Sequence, residues 1–171
     1  MEVNFSLSAP EPLAHDPQLD AFASGEASLD DWLKRRARGN QASAASRTFV
    51  VCENRRAVAH YAIASGAIAQ AVVPGKFRRN MPEPIPVAVL ARLAVDQGWQ
   101  GRGLGRALFR DAALRVGAAA DSIGIRGIVV HAISEQARRF CIALGFSPCP
   151  PDPMILVMTL ADMQGALNNS T

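Results

Sequence analysis

The segment Gln100-Gly-Arg-Gly-Leu-Gly105 lies between an apolar, strand-like run ending at Val95 and a helix-like run starting at Leu104, and it constrains the chain more than any other feature. Glycine lets a backbone approach a phosphate closely and take up positive φ at little cost. The first N–H groups of the following helix have no internal partner and point outward at the positive end of the dipole. An anion placed there accepts several N–H bonds together, and Arg102 and Arg106 add charge. The plain alternative is a tight strand–helix turn. The G-x-G-x-G spacing is not the dinucleotide fingerprint, and no acidic residue closes a following strand at ribose distance. The Gly-Lys-Ser/Thr of a P-loop is also missing.

The surrounding pattern alternates strands and helices. Residues 1–20 carry Pro10, Pro12 and Pro17 and predict an extended lead-in with room for one edge strand. Asp20 to Arg38 predicts a helix, with Ser28 as a cap, acids early, Lys34, Arg35, Arg36 and Arg38 late, and Gly39-Asn40 as the stop. Arg47 to Cys52 predicts a buried strand, Asn54-Arg55-Arg56 a turn and Ala57 to Ala71 the returning strand. Alternation puts His60 and Tyr61 on opposite faces. Pro74 to Pro86 predicts a loop, since its proline spacing leaves no room for a helix or central strand.

Val87 to Val95 then predicts one strand covered on both faces, with Arg92 its single charge. A helix follows over 104–120, with Leu104, Leu108, Ala112 and Val116 on one stripe. Ile128 to Ile133 is strand-like, Ser134 caps a helix through Leu144, and Gly145 ends it. A proline-rich loop and a last strand over 154–160 complete an α/β sandwich with a mixed sheet, read as a single domain over 1–171.

Composition narrows the class. Apolar residues make up 49% and charged residues 19% of the chain, as in a folded globular protein. No apolar run is long enough to span a bilayer and no signal peptide is evident, so a cytoplasmic, non-membrane protein is expected. Cys52, Cys141 and Cys149 fit neither a disulfide framework nor a zinc pattern, and His15, His60 and His131 are dispersed, so no metal is expected. A formal charge of +3 permits an acidic partner.

Arg92-Leu-Ala-Val-Asp96, Gln100 to Gly105, Arg138-Arg-Phe140 and Leu144-Gly-Phe146 together resemble the GNAT (Gcn5-related N-acetyltransferase) superfamily, whose signature Q/R-x-x-G-x-G/A is matched by Gln100, Gly103 and Gly105. The resemblance covers nearly the whole chain. It implies a mixed central sheet with helices on both faces and acetyl-CoA as acetyl donor. Carried over, Leu93, Ala94 and Val95 would pair with the pantetheine arm. Gln100, Gly101, Arg102, Gly103, Leu104, Gly105 and Arg106 would hold the pyrophosphate, and Ser134 and Phe140 would lie near the thioester.

Phe22-Ala-Ser-Gly25, Leu29-Asp-Asp-Trp-Leu33, Asn40-Gln41, Arg47 to Val50, Ala137 to Phe140 and the Pro148 to Pro153 loop are similar to one branch of that superfamily, the acetyltransferase toxins of bacterial toxin–antitoxin pairs. That similarity implies acetylation of the α-amine of aminoacyl-tRNA, a block of translation, a ribbon-helix-helix antitoxin and a homodimer. Lys34, Arg35, Arg36 and Arg38 with Lys76, Arg78 and Arg79 are the candidate grips on tRNA phosphates; solvated surface charge is the bland alternative.

The branch pattern places a tyrosine after the phenylalanine of A-x-x-F-Y, as general acid for the departing CoA thiolate. Here that position is Cys141. A thiol near pKa 8.5 donates more readily than a phenol near about 10. Its sulfur, however, reaches only about 3 Å from Cα against about 6 Å for the phenol oxygen. A general acid must come within about 3 Å or act through water, so a loss of about 10²–10⁴-fold is expected if the acid role is absent. A water relay, a lost activity and a deliberately inactivated toxin all remain open. Two rivals stand beside the toxin reading. One is a GNAT enzyme acting on a small amine or a protein; the other is a catalytically silent module that binds an antitoxin.

Overall fold

The computed structural model describes residues 7–14 and 17–168; His15 lies outside the described residues. In chain order the elements are β1 (Glu11–Pro12), α1 (Ala27–Arg35), α2 (Ala37–Ala42), β2 (Arg47–Glu53), β3 (Arg56–Ile68), α3 (Gly75–Arg78) and β4 (Ile85–Leu90). They continue with β5 (Ala94–Val95), α4 (Leu104–Ala120), β6 (Gly127–His131), α5 (Glu135–Leu144), β7 (Ser147–Cys149), β8 (Asp152–Thr159) and α6 (Leu160–Asn168). The chain divides into two compact units, Met1–Ala64 with Arg92–Asp111, and Ser65–Ala91 with Ala112–Thr171. The division falls inside β3 and inside α4.

In the first unit β1, β2 and β3 pair antiparallel, and β5 pairs with β3 through Ala59↔Val95 and His60↔Ala94. The hairpin turns at Asn54 and Arg55, with φ of 50° and 70°, the mirror-type turn that matches strand twist. In this register Val50 faces His60 and Phe49 faces Tyr61. The face bearing Val50, Cys52, Ala57 and Ala94 packs under Leu29 and Leu33 of α1, Ala37 of α2, and Phe22. Phe22 and Leu33 have no exposed surface, and burying each stabilises the fold by about 1.5–3 kcal/mol. On the opposite face Tyr61 stacks on Phe49 at 5.1 Å, and its hydroxyl donates to Asp111 of α4. Helices therefore cover both faces of these strands.

The second unit orders its strands β4-β6-β8-β7, with β4 and β6 parallel and the other pairs antiparallel. Val73, Phe77, Ile85, Val87, Val129, Cys149 and Val157 form its buried cluster. Ser134 caps α5 by accepting from the Ala137 N–H at 3.1 Å, and Gly145 ends it at φ 111°, as expected from the sequence. No described helix is long and apolar enough to cross a membrane.

Several expectations need correction. The first helix begins at Ala27, not Asp20, and Ser28 lies inside it. The chain before it is fixed by Ser24, whose N–H and hydroxyl both donate to Asp30, with Gly25 turning at φ 98°. Gly39-Asn40 is no stop, because α2 runs through it, and the turn comes at Ala44, φ 62°. The proline-rich loop holds α3, entered after Pro74, where a missing N–H costs nothing, and Pro86 lies inside β4. The single strand over 87–95 is two strands, broken around Arg92 at φ 125°. β7 and α6 occupy segments where no element was expected.

Gly127 has no room for a side chain: a Cβ would overlap the Met158 carbonyl of the paired strand and press on Phe77. We expect Gly127→Ala to destabilise the protein by more than about 3 kcal/mol, measured by urea unfolding, since backbone cannot yield as a flexible side chain does.

Candidate active site

The glycine segment is held from behind by two side chains. Asp96, 6% exposed, accepts from the N–H of Ala23 at 3.1 Å and of Gly98 at 2.9 Å, and lies 3.8 Å from the Arg56 guanidinium. It thereby caps the 3-10 turn Gln97–Trp99 that leads into the loop. Gln100 donates to the Ser24 carbonyl at 2.7 Å and the Val95 carbonyl at 2.9 Å. The Gln100 side chain therefore braces the loop against its surroundings. The sequence pointed to Gln100 only as a phosphate contact, and it gave Asp96 no place in the loop. An aspartate two residues before a glycine was the available signal, since Asx turns bond in this way.

Gly101 and Gly103 sit at φ 79° and 84°, and a Cβ added to either meets no heavy atom within 4 Å. The backbone conformation alone requires glycine here, and the space in front of the backbone is open. Ala107 N–H is bonded to the Gly103 carbonyl at 3.1 Å, as the first i−4 bond of α4. The N–H groups of Leu104, Gly105 and Arg106 precede that bond and have no carbonyl one turn back. Arg102 and Arg106 are exposed, and the Arg102 guanidinium lies 4.7 Å from the centre of the Trp99 ring. Open space, unpaired donors, a helix dipole and two cations fit a pyrophosphate.

Just before the loop, Leu93 and Val95 are half-buried while Ala94 is buried in the cluster under α1. Arg92 forms no salt bridge with Asp96, whose ion pair is with Arg56. The Arg92 guanidinium lies 5.4 Å from the centre of the Trp32 ring, which stacks on His60 at 6.3 Å. His60 has no exposed surface, meets Phe22 edge-on at 5.0 Å, and has no hydrogen-bond partner at either ring nitrogen. Burial, and then the Arg92 charge, hold its pKa down at about 3, so it stays neutral. A non-glycine residue at φ 125° costs about 1–3 kcal/mol. An accessible cation–π contact returns only about 0.5–1 kcal/mol, so Trp32 does not offset the strain at Arg92.

In the second unit Cys141 is buried on α5, Phe140 beside it is half-buried, and Ser134 is engaged as the cap of that helix. Burial pushes the Cys141 thiol up to about 11. This reverses the acidity order expected from free side chains, since it lies above a phenol's value of about 10. Cys141 is therefore a protonated, weakly acidic thiol at neutral pH and no nucleophile. His131 ends β6 and is exposed.

Residues 44–148, more than half of the chain, match the family described as Acetyltransferase (GNAT) domain. The chain belongs to the GNAT acetyltransferase family. Acetyl-CoA is accordingly the acetyl donor, and the open cradle at Gly101 to Arg106 suits its pyrophosphate. The acetyltransferase is 47% identical, over 95% of its length and 98% of the relative's, to the tRNA-acetylating toxin of Mycobacterium tuberculosis. Among solved structures it is similar to AtaT complexed with acetyl-methionyl-tRNAfMet, at 28% identity and TM-score 0.85, covering 92% of this chain and 97% of that one. It is also similar to a Tyr-to-Phe mutant of the AtaT toxin bound to the C-terminus of the antitoxin AtaR and acetyl-CoA. There the identity is 25%, the TM-score 0.81 and the coverage 95% and 98%. The fold is the mixed α/β fold of this family.

The basic residues separate into engaged and open ones. Arg38 donates to the carbonyls of Ala14 and Pro17, Arg78 to that of Val73, and Lys76 pairs with Asp162 at 2.8 Å. Lys34, Arg35, Arg36 and Arg79 have exposed side chains.

Gly103→Ala should raise the Kd for acetyl-CoA by about 10-fold in titration calorimetry, because an alanine at this φ costs about 1–2 kcal/mol. The raised Cys141 pKa predicts that iodoacetamide labels this residue slowly at pH 7–8. The rate should climb only as the pH nears about 11, as read by mass spectrometry.

Proposed function

We propose that this acetyltransferase is a toxin that moves acetyl from acetyl-CoA to the α-amine of aminoacyl-tRNA and so blocks translation. The observation that carries the reading is the 47% identity to a tRNA-acetylating toxin across almost the full length of both chains. The family match over 44–148 runs through both compact units, which supports reading 1–171 as one acetyltransferase domain. A ribbon-helix-helix antitoxin and a homodimer complete the proposal. The AtaT complex with its antitoxin supports the presence of such a partner.

Each residue has a role in this reading. The N–H groups of Leu104, Gly105 and Arg106, with Arg102 and Arg106, hold the pyrophosphate, while Asp96 and Gln100 keep the loop in shape. The backbone of Leu93, Ala94 and Val95 aligns the pantetheine, with Ser134 and Phe140 toward the thioester. Bound in this cradle, acetyl-CoA supplies a thioester open to direct attack by an amine. Lys34, Arg35, Arg36 and Arg79 are ready to meet phosphates. Lys76 joins them at little cost, because an exposed pair such as Lys76–Asp162 contributes only about 0–1 kcal/mol. Arg38 and Arg78 serve the fold first.

Cys141 occupies the general-acid position of the toxin branch. With its pKa at about 11 it is a poor proton donor to a thiolate whose own pKa lies near about 8.5. We expect Cys141→Tyr to raise kcat by about 10²–10⁴-fold, with KM for acetyl-CoA unchanged, in an assay using labelled acetyl-CoA and charged total tRNA. Label in N-acetylated aminoacyl-tRNA from the native chain supports the toxin; label only in a small amine or a protein supports the wider GNAT alternative. No transfer by either form, with acetyl-CoA still bound, leaves the silent antitoxin-binding module, the reading that the buried thiol favours.

A further inference from the structure

At Arg92 backbone strain and a side chain without a hydrogen bond coincide beside the glycine cradle. The other left-handed turns beside the cradle are given to glycine, at Gly25, Gly101 and Gly103. At 92 the chain keeps an arginine at φ 125° although glycine would hold that conformation without strain. Folding gives the side chain little in return. Among the described residues its only contacts are the face of Trp32 and the charge it presses on His60. His60 is neutral and buried, so it neither pairs with the guanidinium nor competes for an anion. Asp96, the nearest acid in sequence, is occupied by Arg56, Ala23 and Gly98. Arg92 is half-buried, its guanidinium lies over an indole, and its donors meet no acceptor among the described residues.

We infer that Arg92, seated on Trp32, is an anion site that takes a phosphate oxygen of the acceptor's 3′ end. This rests on the tRNA reading above and names the contact within it. A planar guanidinium fixed on an aromatic face is pre-organised for two parallel bonds to a phosphate, which a solvated lysine is not. The strain at residue 92 is then the condition for aiming the fork, in keeping with strained backbone gathering at binding sites.

The test uses Arg92→Gly, with Arg92→Lys as a second variant, in the full chain. Binding of bulk charged tRNA is read by fluorescence anisotropy across a salt series, acetyl-CoA binding by calorimetry and Tm by thermal unfolding. Binding is measured directly, so the result does not depend on turnover at Cys141. The expected result for Arg92→Gly is at least about 10-fold weaker tRNA binding, with a salt slope reduced by about 1. Acetyl-CoA affinity should be unchanged, and Tm unchanged or raised by about 2–4 °C as strain is released. Arg92→Lys should keep the salt slope and recover part of the affinity.

Equal tRNA binding by native protein and Arg92→Gly overturns the inference. So does a fall in Tm, which makes the arginine structural, or a loss confined to acetyl-CoA, which assigns the phosphate to the donor. A native chain that binds no tRNA overturns the acceptor reading itself. Failure of acetyl transfer with tRNA binding intact leaves this inference standing.

Discussion

The buried carboxylate of Asp96 is the interaction on which the cradle depends. It closes the turn before the loop through Gly98, reaches back to the Ala23 N–H, and draws in Arg56 from the start of β3. A carboxylate with two backbone donors and a nearby cation is well compensated in a place where an unpaired charge would cost several kcal/mol. Three separate stretches of chain are thereby fixed at one point. The glycines then need only follow a path already set, and their freedom of φ becomes a defined shape.

Much of this was legible in the sequence because local chemistry decided it. Helix α4 begins and ends as expected, since a strand, a glycine turn and an apolar stripe leave one solution. Asn54-Arg55 and Ser134 with Gly145 punctuate their elements by their own dihedral preferences. The errors arose where tertiary partners override local preference. Gly39 lies inside α2 despite its helix-breaking character because Ala37 and Leu33 bury the same face. The break at Arg92 left no mark in an apolar run, because only the pairing of Ala94 with His60 requires it. The cradle itself was visible from glycine spacing, whereas its supports at Asp96 and Ser24 depend on contacts more than 70 residues apart.

The proposed seat of the acetyl donor and the proposed source of the proton that follows the acetyl group stand on unequal footing. The cradle has every element that a pyrophosphate requires. Cys141, the residue proposed for the acid's position, sits in the wrong environment, because the burial that protects its sulfur also weakens it as a proton donor. Removal from water acts on His60 in the opposite direction, keeping a base uncharged beside a cation. Desolvation has thus silenced two titratable groups near physiological pH.

Ser24 answers to two masters. Its N–H and hydroxyl serve Asp30 in α1, while its carbonyl serves Gln100 in the cradle. A change at Ser24 is therefore read at both ends, and under the proposed function a shift of α1 to suit a different acceptor would tug on the loop proposed to seat the donor. Under the proposed function, divergence of acceptor preference is channelled away from the root of α1 and toward its exposed far end, where Lys34 and Arg35 can drift without disturbing the glycine loop.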